Sequence, residues 1–398
     1  MDVFVARQPI FTVKKEIYAY ELLFRTGLSN AFPDIDGNTA TTSLLSSSFF
    51  TVGIEKISGG KLSFINFTEK LLLKKYPEMF PKDKIMIEVL ENVNPTDEIV
   101  NACREMKENG YLLALDDFVY EESFTELIKL ADLIKIDFML TPRDKVEQMV
   151  AALSRYNCQL LAEKIETYEE FEAAVKMGFV YFQGYFFAKP EILQNRDISP
   201  NHLAAAKLLE EVNREEFDTD QIEKLVSQDV SISYKLLNYL NSAFFNRLQP
   251  VSSIRQAIAF LGAKNLRKFI SLVVIGQLSA DKPGELIRSS IIRARFLEMM
   301  GETGGLDGSE LFMLGLLSQI DAMLDSPMEN LVKKMPLSAD IETALVSRQG
   351  RLAPFLVLVE AYETGNWQQF DQILAQKNID DCRVVDCYVE AVGWADNF

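Results

Sequence analysis

A closed (β/α) barrel followed by an all-helical domain is the architecture that this 398-residue sequence predicts. The first half alternates short apolar runs with amphipathic helical stretches, which implies parallel strands joined by crossover helices. The second half drops the strand pattern and keeps apolar residues only at helical spacing. The chain is also too long for one ordinary core, so two domains are expected, at residues 1–197 and 198–398.

The strand-like runs are Ile17–Tyr20, Leu62–Phe67, Ile85–Leu90, Leu112–Phe118, Leu133–Phe138, Gln159–Ile165 and Tyr181–Phe187. Helical patterns lie between them at Thr96–Asn109, Glu121–Leu130, Arg143–Tyr156 and Tyr168–Met177. Strands in this number and spacing suit a barrel near the small end of its size range. An open doubly wound sheet would carry a glycine-rich first turn, and no G-x-G-x-x-G follows any of these runs. After about Pro200 the segments Thr219–Gln228, Ile232–Leu240, Ile254–Leu261 and Leu266–Leu278 read as helices. Asp229, Pro250, Gly262 and Gly304–Gly305 punctuate them, and Gln194–Asn201 is the expected boundary.

Composition narrows the function. Acidic residues number 58 against 41 basic ones, a net charge of -17, which works against binding a phosphate backbone non-specifically; nucleic acid is not an expected partner. Cys103, Cys158, Cys382 and Cys387 match no zinc spacing and read as reduced thiols. The opening MDVFVARQPI lacks the form of a signal peptide, and no stretch is apolar for long enough to span a membrane. A cytoplasmic location with no membrane partner is expected.

Chemistry in a (β/α) barrel gathers where the strands end. Those ends carry Glu21, Asn66, Glu88, Asp116 with Asp117, Lys135 with Asp137, Glu163 with Glu166, and Gln183. Any one of them reads as part of an ordinary salt-bridge ring. A carboxylate near almost every strand end is harder to explain that way, because carboxylates are seldom buried unpaired. As a set they offer the oxygen ligands that Mg²⁺, Mn²⁺ or Ca²⁺ prefers, and no His or Cys for zinc. Such a site activates water and neutralises a phosphodiester, with Lys135 orienting or deprotonating that water or stabilising developing charge.

In their order these motifs resemble the EAL family of cyclic-di-GMP phosphodiesterases over roughly residues 1–195. The signature stands here as Glu21-Leu22-Leu23-Phe24-Arg25, with Leu22 in place of the central alanine. Ile65-Asn66-Phe67, Ile87-Glu88-Val89-Leu90-Glu91, Leu115-Asp116-Asp117-Phe118 and Ile134-Lys135-Ile136-Asp137 follow. Ala162-Glu163-Lys164-Ile165-Glu166-Thr167 and Gln183-Gly184-Tyr185-Phe186-Phe187-Ala188-Lys189-Pro190 complete the order. The resemblance implies a TIM-like barrel that takes one or two Mg²⁺ or Mn²⁺ ions and opens cyclic-di-GMP to linear pGpG. It implies metal binding by Glu21, Asn66, Glu88 and Asp116, with Asp117 completing a second metal site. It assigns the attacking water to Lys135 and Glu163, a ligand phosphate to Arg25, a lining role to Gln183, and bracing of the loop after Asp117 to Glu91.

Two departures stand out. Val119-Tyr120-Glu121-Glu122 replaces a glycine-threonine-glycine loop that helps place the metals and joins subunits, and Lys164 replaces a glycine beside Glu163. Intact ligand positions favour a weak or conditional phosphodiesterase. The departures favour the alternative, a catalytically inactive receptor or scaffold that relays signals by protein–protein interaction.

In the second half, Leu225–Ala243 and Val251–Gly262 resemble the HD-related output domain, HDOD. Catalytic relatives of that domain hold metal through several histidines. This chain has one histidine, His202, and reads Ser318-Gln319 where His-Asp would stand. A non-catalytic output module is expected there, with a protein partner, and a homodimer is a further expectation.

Overall fold

The computed structural model of the chain describes residues 5–24, 57–189 and most of 208–396. Arg25, His202 and the expected boundary at 194–201 lie outside the described residues. The chain divides into two compact units, Met1–Phe187 with Leu358–Phe398, and Ala188–Val357.

In the first unit the strands β1 (Val5–Thr12), β2 (Ile17–Phe24), β3 (Leu62–Phe67) and β4 (Ile85–Val89) are followed by β5 (Leu112–Leu115), β6 (Leu133–Asp137), β7 (Gln159–Glu163) and β8 (Tyr181–Gln183). They close in sequence order into a barrel. The expected all-parallel ring needs one correction. β1 is an additional strand and runs antiparallel to both β2 and β8. Only a tight turn separates β1 from β2, with the Lys15 amide donating to the Thr12 carbonyl at 2.8 Å, and parallel pairing needs a much longer crossover. Pro9 inside the run also hides β1 from a pattern reading.

Side chains alternate across each strand, so residues two apart share a face. Ile10, Ala19, Phe64, Met86, Ala114, Leu133 and Leu161 form one buried apolar layer, with Tyr181 packed against it. Two positions further toward the mouth the same strands carry Gln8, Glu21, Asn66, Glu88, Asp116, Lys135, Glu163 and Gln183. The apolar layer plugs the barrel, and the polar layer rests on it.

The crossover helices follow local signals. Thr96 caps Asp97–Glu108 by accepting from the Ile99 amide, and that helix buries Ile99, Cys103 and Met106 along one face. Thr167 and Glu170 form a reciprocal capping box at the start of Tyr168–Met177.

The second unit is helical. It contains Thr219–Gln228, Val230–Leu240, Ile254–Leu278, Gly284–Thr303 and Gly308–Leu317. Ile254–Leu278 is interrupted at Gly262, whose φ of 69° and ψ of 168° are not helical, in line with the two separate segments expected. Gly315 lets Gly308–Leu317 approach Gly284–Thr303 closely, since a Cβ there would lie 2.5 Å from the Arg293 backbone.

The last residues depart from the expected division at 197/198, because Leu358–Phe398 belong to the barrel's unit. Tyr362 is fully buried and its hydroxyl donates to the Val5 carbonyl of β1 at 3.1 Å. Trp367, Phe370 and Tyr388 pack their rings around it at centroid distances of 5.5, 5.5 and 4.4 Å. Such aromatic packing contributes a large apolar area. Among the described residues, no helix is long and apolar enough to cross a membrane.

Candidate active site

The polar layer opens into a cavity of about 560 Å³ at the C-terminal ends of the parallel strands. Lys135, completely buried, stands at its base. Its ammonium lies 2.7 Å from Glu88, 2.7 Å from Asp116, 2.8 Å from Glu163 and 3.2 Å from Glu21. Four carboxylates from four different strand ends thus converge on one cation. Glu21 is the most heavily bonded of them. Its Oε1 accepts from Asn66 Nδ2 at 2.9 Å, and its Oε2 accepts from Gln183 Nε2 at 2.7 Å and from Lys135. Gln183 Nε2 also donates to Gln8 Oε1 at 2.9 Å.

The charge states follow from this arrangement. Burial alone would raise Glu21, but Lys135 and the donors Gln183 and Asn66 outweigh it and hold that carboxyl below its ordinary range. Burial raises Glu88 and Glu163 well above theirs, and raises Asp116 to about 6, with neighbouring carboxylates adding and Lys135 opposing. Burial works against the charge on Lys135 as well, yet Asp116, Glu163, Glu21 and Glu88 together raise it well above its ordinary value. Lys135 is therefore an ammonium that donates.

The hub is not saturated. Asn66 Oδ1, Glu88 Oε2, Glu163 Oε2 and Gln183 Oε1 are buried and accept no hydrogen bond among the described residues. Glu88 Oε1 and Asp116 Oδ1 touch Lys135 as ion pairs without hydrogen-bond geometry. Buried oxygens left without donors are costly, and hard divalent cations bind oxygen. The donor set therefore fits such an ion. As they stand, no three carboxylate, thiol or imidazole groups among the described residues are arranged to hold one, because Lys135 lies between the carboxylates. Binding requires the ammonium to yield part of its contacts.

A second group lies further out. Asp117 adopts a φ of 39° and pairs with Lys164. Lys164 Nζ is 3.4 Å from both Asp117 oxygens and bonds Asp137 Oδ2. Lys164 itself is left-handed at φ 55°, a conformation that costs a non-glycine residue roughly 1 kcal/mol or more. That explains why a glycine suits this position in the resembling family. Glu91 is exposed at the rim, and the brace expected from it to the loop after Asp117 is not formed among the described residues. The loops after β7 and β8 lie against each other at Gly184, where a Cβ would meet the Ile165 carbonyl at 2.1 Å.

Of the expected site residues, Glu21, Asn66, Glu88, Asp116, Lys135, Glu163 and Gln183 meet at the mouth, Asp117 lines the same cavity and pairs with Lys164, and Arg25 lies outside the described residues. Sequence reasoning missed Gln8 and Thr364, which also line the cavity. Gln8 was within reach of the two-residue alternation counted back from Ile10. Thr364 had no such signal, since only tertiary packing brings it there.

Comparison with known proteins agrees with this organisation. The EAL domain family matches residues 48–190 and the HDOD domain family matches residues 200–338. The chain is 38% identical over 397 residues to the cyclic di-GMP phosphodiesterase CdgJ of Vibrio cholerae, covering 98% of this chain and 92% of that protein. It is 36% identical over 409 residues to YuxH of Bacillus subtilis, covering 100% and 99%. A solved structure of Klebsiella pneumoniae BlrP1 with calcium and cyclic di-GMP aligns at 22% identity, 48% coverage of this chain and 56% of its own, with a TM-score of 0.37. On the full-length relatives and both domain matches, this chain belongs to the family that joins an EAL domain to an HDOD domain.

Proposed function

We propose that the barrel binds cyclic-di-GMP and hydrolyses one of its two phosphodiester links with a divalent cation, releasing linear pGpG as part of bacterial signal transduction. The convergence of Glu21, Glu88, Asp116 and Glu163 on Lys135 carries this reading. The full-length relative named a cyclic di-GMP phosphodiesterase supports the substrate.

Glu21, Asn66, Glu88 and Asp116 hold the cation, Mg²⁺ or Mn²⁺, which supplies a Lewis acid for the phosphate oxygens and lowers the pKa of water. Glu163 accepts the water's proton, since burial makes it a stronger base than a solvated carboxylate. Lys135 orients the water and stabilises charge on the phosphorus oxygens. The water oxygen bonds to phosphorus as Glu163 takes its proton, the bond to the ribose 3′ oxygen breaks, and that proton passes to the leaving oxygen. Gln183 holds Glu21 in place from the side, and Arg25 grips a ligand phosphate.

The helical unit acts as a non-catalytic output module toward a protein partner. Its Ser318 and Gln319 are engaged in internal hydrogen bonds, which supports that assignment. A second reading, ligand binding without turnover, draws on Lys164 beside Glu163 and its ion pairs across the rim. Incubation of the purified full chain with cyclic-di-GMP and Mn²⁺, followed by product chromatography, separates the two. pGpG that forms with Mn²⁺, and not after chelation or in Glu21→Ala, supports hydrolysis. Tight nucleotide binding without product supports the receptor.

A further inference from the structure

We propose that Lys164 serves as a built-in outer cation, so that the mouth takes one divalent ion, on the deep group of Glu21, Asn66, Glu88 and Asp116, and none on Asp117. This rests on the metal-dependent reading above and refines it.

The acidic residues of the mouth fall into two groups with different balances. In the deep group, four carboxylates face one ammonium, and Asn66, Glu88 and Glu163 still present buried oxygens without donors. In the outer group, Asp117 and Asp137 face the Lys164 ammonium. Asp137 has no oxygen left over. Its Oδ1 accepts from the Met139 and Leu140 amides at 2.6 and 2.8 Å, and its Oδ2 accepts from Lys164. Neither Asp117 nor Asp137 has a buried oxygen lacking a partner among the described residues. The deep group thus has surplus negative charge and spare ligands, while the outer group has one surplus charge and only Asp117 to offer.

The backbone points the same way. A lysine held at φ 55° is a strained choice where glycine would rest freely, and such outliers cluster where a side chain is required in one place. The ammonium is held between two carboxylates, bonded to Asp137 and 3.4 Å from Asp117. It lines the same cavity as Glu21 and Asp116, so a phosphodiester oxygen entering there meets a positive charge tied to the chain. A chelator cannot remove this charge, and a second Mn²⁺ would have to displace it.

Counting bound ions tests this directly. Full-length wild type, Lys164→Gly and Lys164→Ala are equilibrated with Mn²⁺, freed of excess ion by dialysis, and assayed for manganese per folded chain by atomic absorption. One ion is expected in wild type and two in both variants, because each variant releases Asp117. Circular dichroism confirms folding, and Lys164→Gly, which relieves the backbone, guards against loss of Lys164→Ala. Two ions in wild type, or one in all three proteins, would overturn the proposal. No manganese in any of them would overturn the metal-dependent reading itself and this inference with it.

Discussion

Among the described residues, buried polar groups gather at the barrel mouth and, in the helical unit, around Ser318 and Gln319. In the helical cluster Gln319 Oε1 accepts from Ser289 and Ser290 at 2.6 and 3.0 Å. Ser318 Oγ accepts from Arg293 at 3.1 Å and donates to the Gly315 carbonyl at 2.7 Å. The oxygens of Ser290, Ser318 and Gln319 all have partners, whereas the mouth leaves several buried oxygens without donors. Both clusters are shielded from water, so the difference lies in what they keep available. A cluster closed on itself stabilises and positions helices, and one with spare acceptors is built to receive something.

The largest expected effect separates the two clusters by turnover. Glu21→Ala and Lys135→Met should each lower turnover at least about a hundredfold, the usual scale for losing a positioned charged group at a reacting centre. Gln319→Leu should leave turnover per folded molecule unchanged. Product chromatography on all three variants checks this. A Gln319 variant that hydrolyses as poorly as Glu21→Ala would break the comparison.

Acidity separates them next. Asp116 is raised to about 6 by burial, and Glu88 and Glu163 stand well above their ordinary range for the same reason. These groups bind protons more readily in the folded protein, so protons compete with a cation there as pH falls. Mn²⁺ affinity should therefore rise with pH and level off once Asp116 and Glu88 are ionised. On the acid side it should fall by roughly tenfold per pH unit for each proton displaced. Calorimetric titration between about pH 5 and 8 reads this, because Asp116, raised to about 6, titrates within that span. Affinity independent of pH would contradict a carboxylate site. The serine and glutamine groups of the helical cluster have no titration in this range and predict none.

Much of the mouth was legible because strand alternation is strict. Once Leu133–Asp137 and Gln159–Glu163 read as strands, Lys135 and Glu163 had to share the inner face with Glu21 and Glu88. β1 was not legible, since Pro9 breaks its pattern and its antiparallel course needs no crossover helix to announce it. The attachment of Leu358–Phe398 to the barrel's unit was not legible either. Those residues read as helix wherever they dock, and the contact that decides the matter, Tyr362 to Val5, joins opposite ends of the chain. The direction of Lys164 also escaped. Its spacing placed it beside Glu163, and only the positive φ turns its ammonium to Asp137 and Asp117.

A smaller effect probes the closed cluster. Gln319→Leu removes the acceptor shared by Ser289 and Ser290, and Ser290 is fully buried. Loss of such a partner should cost about 1–3 kcal/mol of stability. Urea denaturation of the variant beside wild type measures it. An unchanged midpoint would show that the cluster contributes nothing that a close-packed leucine does not.

The smallest expected effect tests where the C-terminal residues belong. Tyr362→Phe keeps the ring that packs against Trp367, Phe370 and Tyr388 and removes only the hydroxyl that bonds the Val5 carbonyl. The cavity created is slight, so the cost is that of one buried carbonyl losing its donor, about 1 kcal/mol. Because Leu358–Phe398 form one compact unit with the barrel, that loss should fall on the unfolding transition that Mn²⁺ shifts, which identifies the barrel by mass action. Denaturant unfolding of wild type and Tyr362→Phe, each with and without Mn²⁺, makes the assignment. If the variant instead weakens only a transition indifferent to Mn²⁺, the last helices owe their stability to the helical unit. The sequence expectation of a single division near residue 197 would then describe the cooperative units better than the packing of Tyr362 does.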